Sequence, residues 1–126
     1  MNEQSIKKYL LDKPESALDY PFGPEVAVFK IKNKMFATFG ILNEKGAINL
    51  KCDPDEAIAL RDIFTSVIPG YHMNKRHWNT IYLDQSIPKG EIERMIDNSY
   101  ALVVKGLKKS ERDNLILQYG RNNIGL

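Results

Sequence analysis

The stretch from Val26 to Lys51 constrains the fold more than any other part of this 126-residue chain. Val26-Ala27-Val28-Phe29-Lys30-Ile31 reads as a strand, Lys32-Asn33-Lys34 as a short polar turn, and Met35-Phe36-Ala37-Thr38-Phe39-Gly40-Ile41 as its hairpin partner. Asn43-Glu44-Lys45-Gly46 is a second turn. Ala47-Ile48-Asn49-Leu50-Lys51 is a further strand whose alternation puts Ile48 and Leu50 on one face, Asn49 and Lys51 on the other. Turns this short make antiparallel pairs, and the apolar face they share needs a cover.

Helical periodicity supplies the cover. Ile6, Tyr9 and Leu10 make one apolar stripe in a helix from Asn2 to Leu11, which Lys13-Pro14 ends. Ala17 to Pro24 reads as turn-rich. Asp53-Pro54-Asp55-Glu56 carries a capping-box signature: Asp53 as cap, Pro54 in the first turn and Glu56 closing the box, with Ala57, Leu60, Ile63 and Phe64 as the buried stripe that follows. Val67-Ile68 starts another strand. Trp78 to Leu83 is the next, with Trp78, Thr80 and Tyr82 on one face and Asn79, Ile81 and Leu83 on the other. A helix from Pro88 buries Ile92, Met95, Ile96, Ser99, Val103 and Leu107. Ser110 caps a last helix with Asp113 at the box position, and Arg121 to Leu126 is expected to fray. The order α-β-β-β-α-β-β-α-α predicts an α+β two-layer sandwich: an antiparallel sheet of about five strands with helices on one face. Residues 1–126 are expected to form one domain, with 108–126 as its C-terminal helix and tail.

Bulk properties exclude several classes. The single Cys52 rules out an intrachain disulfide and any cysteine-based zinc cluster, and suits a reducing cytoplasm. The N-terminus has no apolar h-region, so no signal peptide is expected, and no apolar run approaches the roughly 20 residues of a membrane span. A cytoplasmic location is the expectation; the sequence does not fix the oligomeric state, a monomer being favoured over an oligomer. A net charge of +2 argues little for nucleic acid by itself, but from Val67 onward nine basic residues face six acidic ones.

Chemistry concentrates in Pro69-Gly70-Tyr71-His72-Met73-Asn74-Lys75-Arg76-His77-Trp78-Asn79-Thr80, which holds both histidines and the only tryptophan. At a hairpin tip, Lys75 and Arg76 suit phosphates. His72, Asn74, His77 and Asn79 suit phosphate, sugar or base edges, and Tyr71 or Trp78 suits base stacking. The plainer alternative has Tyr71 and Trp78 closing the edge of the core and Lys75 and Arg76 as a solvated turn. Another reading pairs His72 with His77 across the turn, with Asp53 or Asp84 as a third ligand for a metal or small molecule. No glycine-rich phosphate loop, nucleophile elbow or zinc motif is present, so no catalytic residue and no cofactor is assigned. Cys52 precedes a helix N-terminus, where a dipole can lower a thiol pKa, but a small buried residue at a strand end explains it better.

Tyr20-Pro21-Phe22-Gly23, Lys34-Met35-Phe36-Ala37, Asn49-Leu50-Lys51-Cys52-Asp53-Pro54, the Pro69 to Thr80 segment and Ser99-Tyr100-Ala101-Leu102-Val103-Val104 occur in that order. Together, over roughly Ser5 to Leu107, they resemble the MmcQ/YjbR family of small bacterial cytoplasmic proteins. The resemblance implies a fold similar in outline to frataxin-like and secretion-chaperone-like domains. It also implies a non-enzymatic DNA-binding role through a "double wing" of paired hairpin loops. Lys32 and Lys34 would then form the second wing, and Lys51 would extend the basic track. A chaperone-like interaction module, with the Ser110 to Tyr119 helix covering an apolar groove or acting as a swapped element, is the alternative it suggests. An iron role of the frataxin kind is not expected, because Lys7 and Lys8 offset Glu3 and Asp12 on the first helix.

Overall fold

In the computed structural model, which describes residues 1–126, the first helix, α1 (Glu3–Leu11), begins with a capping box the sequence reading did not anticipate. Asn2 Oδ1 accepts the Ser5 N–H at 2.8 Å, and Ser5 Oγ accepts the Asn2 N–H at 3.1 Å. Ile6 and Leu10 are fully buried, as their spacing requires.

The sheet has six strands rather than about five. The additional one, β1 (Ala17–Asp19), lies in the segment read as turns and pairs antiparallel with β2 (Ala27–Ile31). All three of its residues are exposed, so no burial alternation marks it in sequence. The next strand, β3 (Lys34–Leu42), follows a tight turn in which Lys32 and Asn33 have φ of 48° and 67°. It joins β4 (Lys45–Lys51) through Asn43 and Glu44 at 51° and 68°. Paired left-handed residues match the twist of a two-residue hairpin. Between Phe29↔Ala37 and Lys30↔Met35 the register shifts, leaving Phe36 as an extra residue in β3. Phe36 and Ala37 are consequently both in the core, and the Phe36 ring meets Tyr100 edge-on at 5.3 Å.

After β4 the chain forms α2 (Pro54–Ile63), then the antiparallel pair β5 (Val67–Pro69) and β6 (Trp78–Tyr82). Because β6 pairs with β4, the strand order is β1-β2-β3-β4-β6-β5. The long α3 (Lys89–Lys105) lies across the sheet and buries the whole predicted stripe, with Leu107 just beyond it. α4 (Lys109–Tyr119) and α5 (Arg121–Ile124) complete the chain.

Several local expectations are corrected. Asp53 occupies the cap of α2 without a side-chain bond, and Glu56 is drawn instead to Arg94 of α3, Oε1 to Nη1 2.6 Å. A charge-assisted bond of that kind is stronger than a box closure. Ser110 lies inside α4 rather than at its cap, and Asp113 pairs with Lys109 at 3.2 Å. Ile63, the last residue of α2, is 68% exposed. The tail does not fray: Ile124 belongs to the core and Leu126 packs against it.

One cluster of 25 buried residues lies between the helices and one face of the sheet. Burying an aliphatic side chain of this size contributes about 1.5–3 kcal/mol. The alternate strand positions, among them Met35, Thr38, Asn49, Lys51, Trp78 and Thr80, form the opposite face, which no helix covers. Trp78 is therefore not part of the core, against the plainer of its two readings, and is half-buried on the open face. No helix is long and apolar enough to cross a membrane.

Candidate functional site

Register fixes where the basic turns project. Ile31↔Lys34 closes the β2–β3 hairpin, and Lys51↔Trp78 sets the end of β4 beside the start of β6. The Lys32-Asn33 turn, Lys51 and the 70–77 loop therefore leave the same end of the sheet. With strands about 4.8 Å apart, the two hairpins are separated by about 14 Å along that edge.

Their charges are not equally available. Lys32 Nζ lies 3.0 Å from Glu15 Oε1, and Lys30 Nζ lies 3.1 Å from Asp19 Oδ2. None of the eight ion pairs involves Lys34, Lys51, Lys75 or Arg76. Lys75 Nζ donates to the Gly70 carbonyl at 2.9 Å, a neutral partner that leaves the positive charge uncancelled.

The 70–77 loop is held from both sides. Gly70 donates its N–H to the Trp78 carbonyl at 2.9 Å, and a Cβ at this position would lie 2.9 Å from both Trp78 Cβ and Trp78 O, so only glycine fits. Asn74 is a turn former: its Oδ1 accepts the Arg76 N–H at 2.9 Å, and its carbonyl accepts the His77 and Trp78 N–H groups. The carbonyl of half-buried His77 accepts the Cys52 N–H at 2.7 Å. Asn79 is withdrawn from any partner, contrary to its assignment as a binding residue. It turns to the helical side, 2% exposed, accepting from Arg61 Nε at 2.7 Å and donating to the Ala57 carbonyl at 3.3 Å. Arg61 also reaches the Lys75 and Trp78 carbonyls, anchoring the loop to α2.

On the open face lies a feature the sequence reading missed. Tyr71, His72 and Met73 fold over the sheet from one side, Phe22 and Val26 approach from the β1–β2 connection, and between them runs a groove of ≈ 390 Å³. Its floor is a polar row across three neighbouring strands: Thr38 of β3 opposite Asn49 of β4 opposite Thr80 of β6. Thr80 Oγ1 accepts the Tyr71 N–H at 2.9 Å and donates to Asn49 Oδ1, and Asn49 Nδ2 donates to Thr38 Oγ1 at 3.0 Å. Two rings stand at the rim, Phe22 70% and Tyr71 49% exposed, and the Tyr71 ring lies 4.1 Å from that of His72. His72 adopts φ 58°, in the left-handed region that a non-glycine residue rarely occupies. The available signal in sequence was Thr38 and Asn49 at alternate positions of otherwise apolar strands.

The titratable groups singled out in the sequence lie in separate surroundings. Burial pushes the Cys52 thiol up to about 11, with the Glu56 and Asp53 carboxylates adding to the rise, so the helix-dipole activation considered from sequence is outweighed. Asp84 lies beyond the opposite end of β6 from the histidines. Hydrogen bonds from Ser66 and Ser86 hold its carboxyl down at about 2. No group of three or more His, Cys, Asp or Glu side chains is placed to hold a metal ion. The arrangement offers hydrogen bonds, rings and positive charge.

Comparison with known proteins gives a consistent picture. The family model described as YjbR matches residues 11–102. YbdF of Escherichia coli O157:H7 is 40% identical, covering 89% of this chain and 95% of that protein. YjbR of Escherichia coli K12 is 30% identical, covering 92% and 98%. Among solved structures, protein DR2400 of Deinococcus radiodurans superposes with a TM-score of 0.82 at 35% identity, over 89% of this chain and 86% of that one. A Pseudomonas syringae protein does so at 0.71 and 31% identity, over 81% and 98%. These names specify neither a ligand nor a reaction.

Proposed function

The chain belongs to the YjbR family, and we propose that it is a non-enzymatic binding protein whose open sheet face takes single-stranded nucleic acid. The observation that carries this reading is the groove itself. Exposed rings stand at its rim, Lys51 belongs to the same open face, and the other uncancelled cations leave the sheet at the Lys51 end. Stacking on rings needs unpaired bases, which a duplex does not offer, whereas phosphates of a strand crossing the edge suit Lys34, Lys51, Lys75 and Arg76. The double-wing idea is thereby narrowed. The β2–β3 hairpin contributes Lys34 while Lys32 is neutralised by Glu15, and the 70–77 loop contributes both rings and charge.

Anisotropy of a labelled short oligonucleotide, single-stranded and duplex, tests the reading across salt. Three or four neutralised phosphates predict that single-strand affinity falls by about 20- to 50-fold between roughly 50 and 200 mM salt. Arg76→Ala and Lys51→Ala should each weaken binding and flatten that dependence. Duplex binding as tight as single-strand binding, or no binding at low salt, contradicts the proposal.

A further inference from the structure

We infer that the groove is a pocket for one unpaired nucleobase, recognised on an edge that carries two adjacent hydrogen-bond acceptors; the inference rests on the single-strand reading above. The hydrogen bonds of the floor run in one direction. A backbone N–H can only donate, so Tyr71 N–H makes Thr80 Oγ1 an acceptor. Thr80 then gives its own proton to Asn49 Oδ1, which turns the amide so that Nδ2 faces Thr38 Oγ1 at 3.0 Å. Thr38 accepts that bond, and its own hydroxyl proton meets no acceptor in the protein. The second N–H of Asn49 Nδ2 is likewise unspent. The relay thus ends in two neighbouring free donors on the floor of the groove, and Thr38 is only 6% exposed. A ligand that displaces water from these donors must bring acceptors or leave them unpaired, so acceptors are favoured over donors.

The walls select a flat, apolar body. Met35, Ile41 and Met73 line the groove, with Phe22 and Tyr71 at its rim. Tyr71 is already held against His72, which lowers the cost of ordering it for stacking. Cytosine presents adjacent acceptors at O2 and N3, and guanine at O6 and N7. On adenine each acceptor of the hydrogen-bonding edges adjoins the donating amino group, and on thymine the imide N–H separates the two carbonyls. The floor therefore prefers cytosine or guanine.

The test measures the affinity of oligodeoxycytidine, oligodeoxyadenosine and an abasic strand of equal length. The expected result is that oligodeoxycytidine binds at least about 10-fold tighter than the abasic strand, and several-fold tighter than oligodeoxyadenosine. Thr38→Val, which removes the hydroxyl at constant shape, should abolish the preference for cytosine over adenine, and Thr38→Ser should retain it. Equal affinity for the two bases in the unaltered protein, or a preference that survives Thr38→Val, overturns the base pocket. Retained binding of the abasic strand would then leave the phosphate-binding reading standing. Failure of every strand to bind overturns both.

Discussion

Arg61 on α2 lies with its Nε 2.7 Å from Asn79 Oδ1 on β6, and this bond ties the 70–77 loop to the helical layer. The same guanidinium bonds the carbonyls of Lys75 and Trp78. One cation thus bonds three acceptors, one in the loop and two at the start of β6. Removing it strands the buried Asn79 amide. Arg61→Ala is expected to lower stability by about 1–3 kcal/mol in denaturant titration and to speed amide exchange in 70–77. Arg61→Lys should recover only part of the loss, because an ammonium cannot span three acceptors in a planar fork.

Glu15 cancels Lys32 at 3.0 Å, an ion pair between the β2–β3 turn and the segment after α1. Glu15→Gln frees that charge at the proposed binding edge. Oligonucleotide affinity should rise, and the slope of log affinity against log salt should steepen by about 0.7, the contribution of one more single-strand phosphate contact. An unchanged slope would place Lys32 outside the path of the strand.

Cys52 sits at the buried junction of β4 and α2, its thiol raised by burial to about 11 from an ordinary 9.0. The folded state therefore holds the thiol protonated where the unfolded chain would ionise. This contribution to stability is therefore complete below about pH 9 and is lost as pH rises through 9 towards 11. The native protein should resist iodoacetamide near neutral pH and label promptly once unfolded. Rapid stoichiometric labelling of the native state would contradict this placement.

Ile124 is 1% exposed, although it stands only two positions before Leu126. Ile124→Ala should cost about 2–5 kcal/mol, the range for truncating a buried aliphatic side chain. A thermal melt distinguishes this from a frayed tail, for which the substitution would leave the melting temperature unmoved.

The elements whose signal is local were legible in the sequence. Ile48 and Leu50 announce β4 by alternation, and the run from Ile92 to Leu107 announces α3 by helical spacing, because each pattern reflects one face meeting one core. β1 was not legible, since Ala17, Leu18 and Asp19 are exposed and owe their conformation to pairing with β2. The burial of Ile124 depends on α5 docking against α3, a tertiary fact with no local sign. The site divides in the same way. Lys75 and Arg76 were readable as a charged loop, but the pairing of Lys32 with Glu15 is non-local. Thr38, Asn49 and Thr80 become a polar row only through register. The alternation of β6 already put Asn79 on the face of Ile81, and that periodicity was a better guide to its role than its hydrogen-bonding chemistry.

Mapping backbone amide shifts by NMR as a short cytosine-containing single strand is added locates the binding surface residue by residue. The proposed surface predicts perturbations at Thr38, Asn49, Lys51, Tyr71, Arg76 and Thr80, with α1 and α3 undisturbed. Shifts concentrated on the helical layer, or none at concentrations well above micromolar, would contradict the open sheet face as the binding surface.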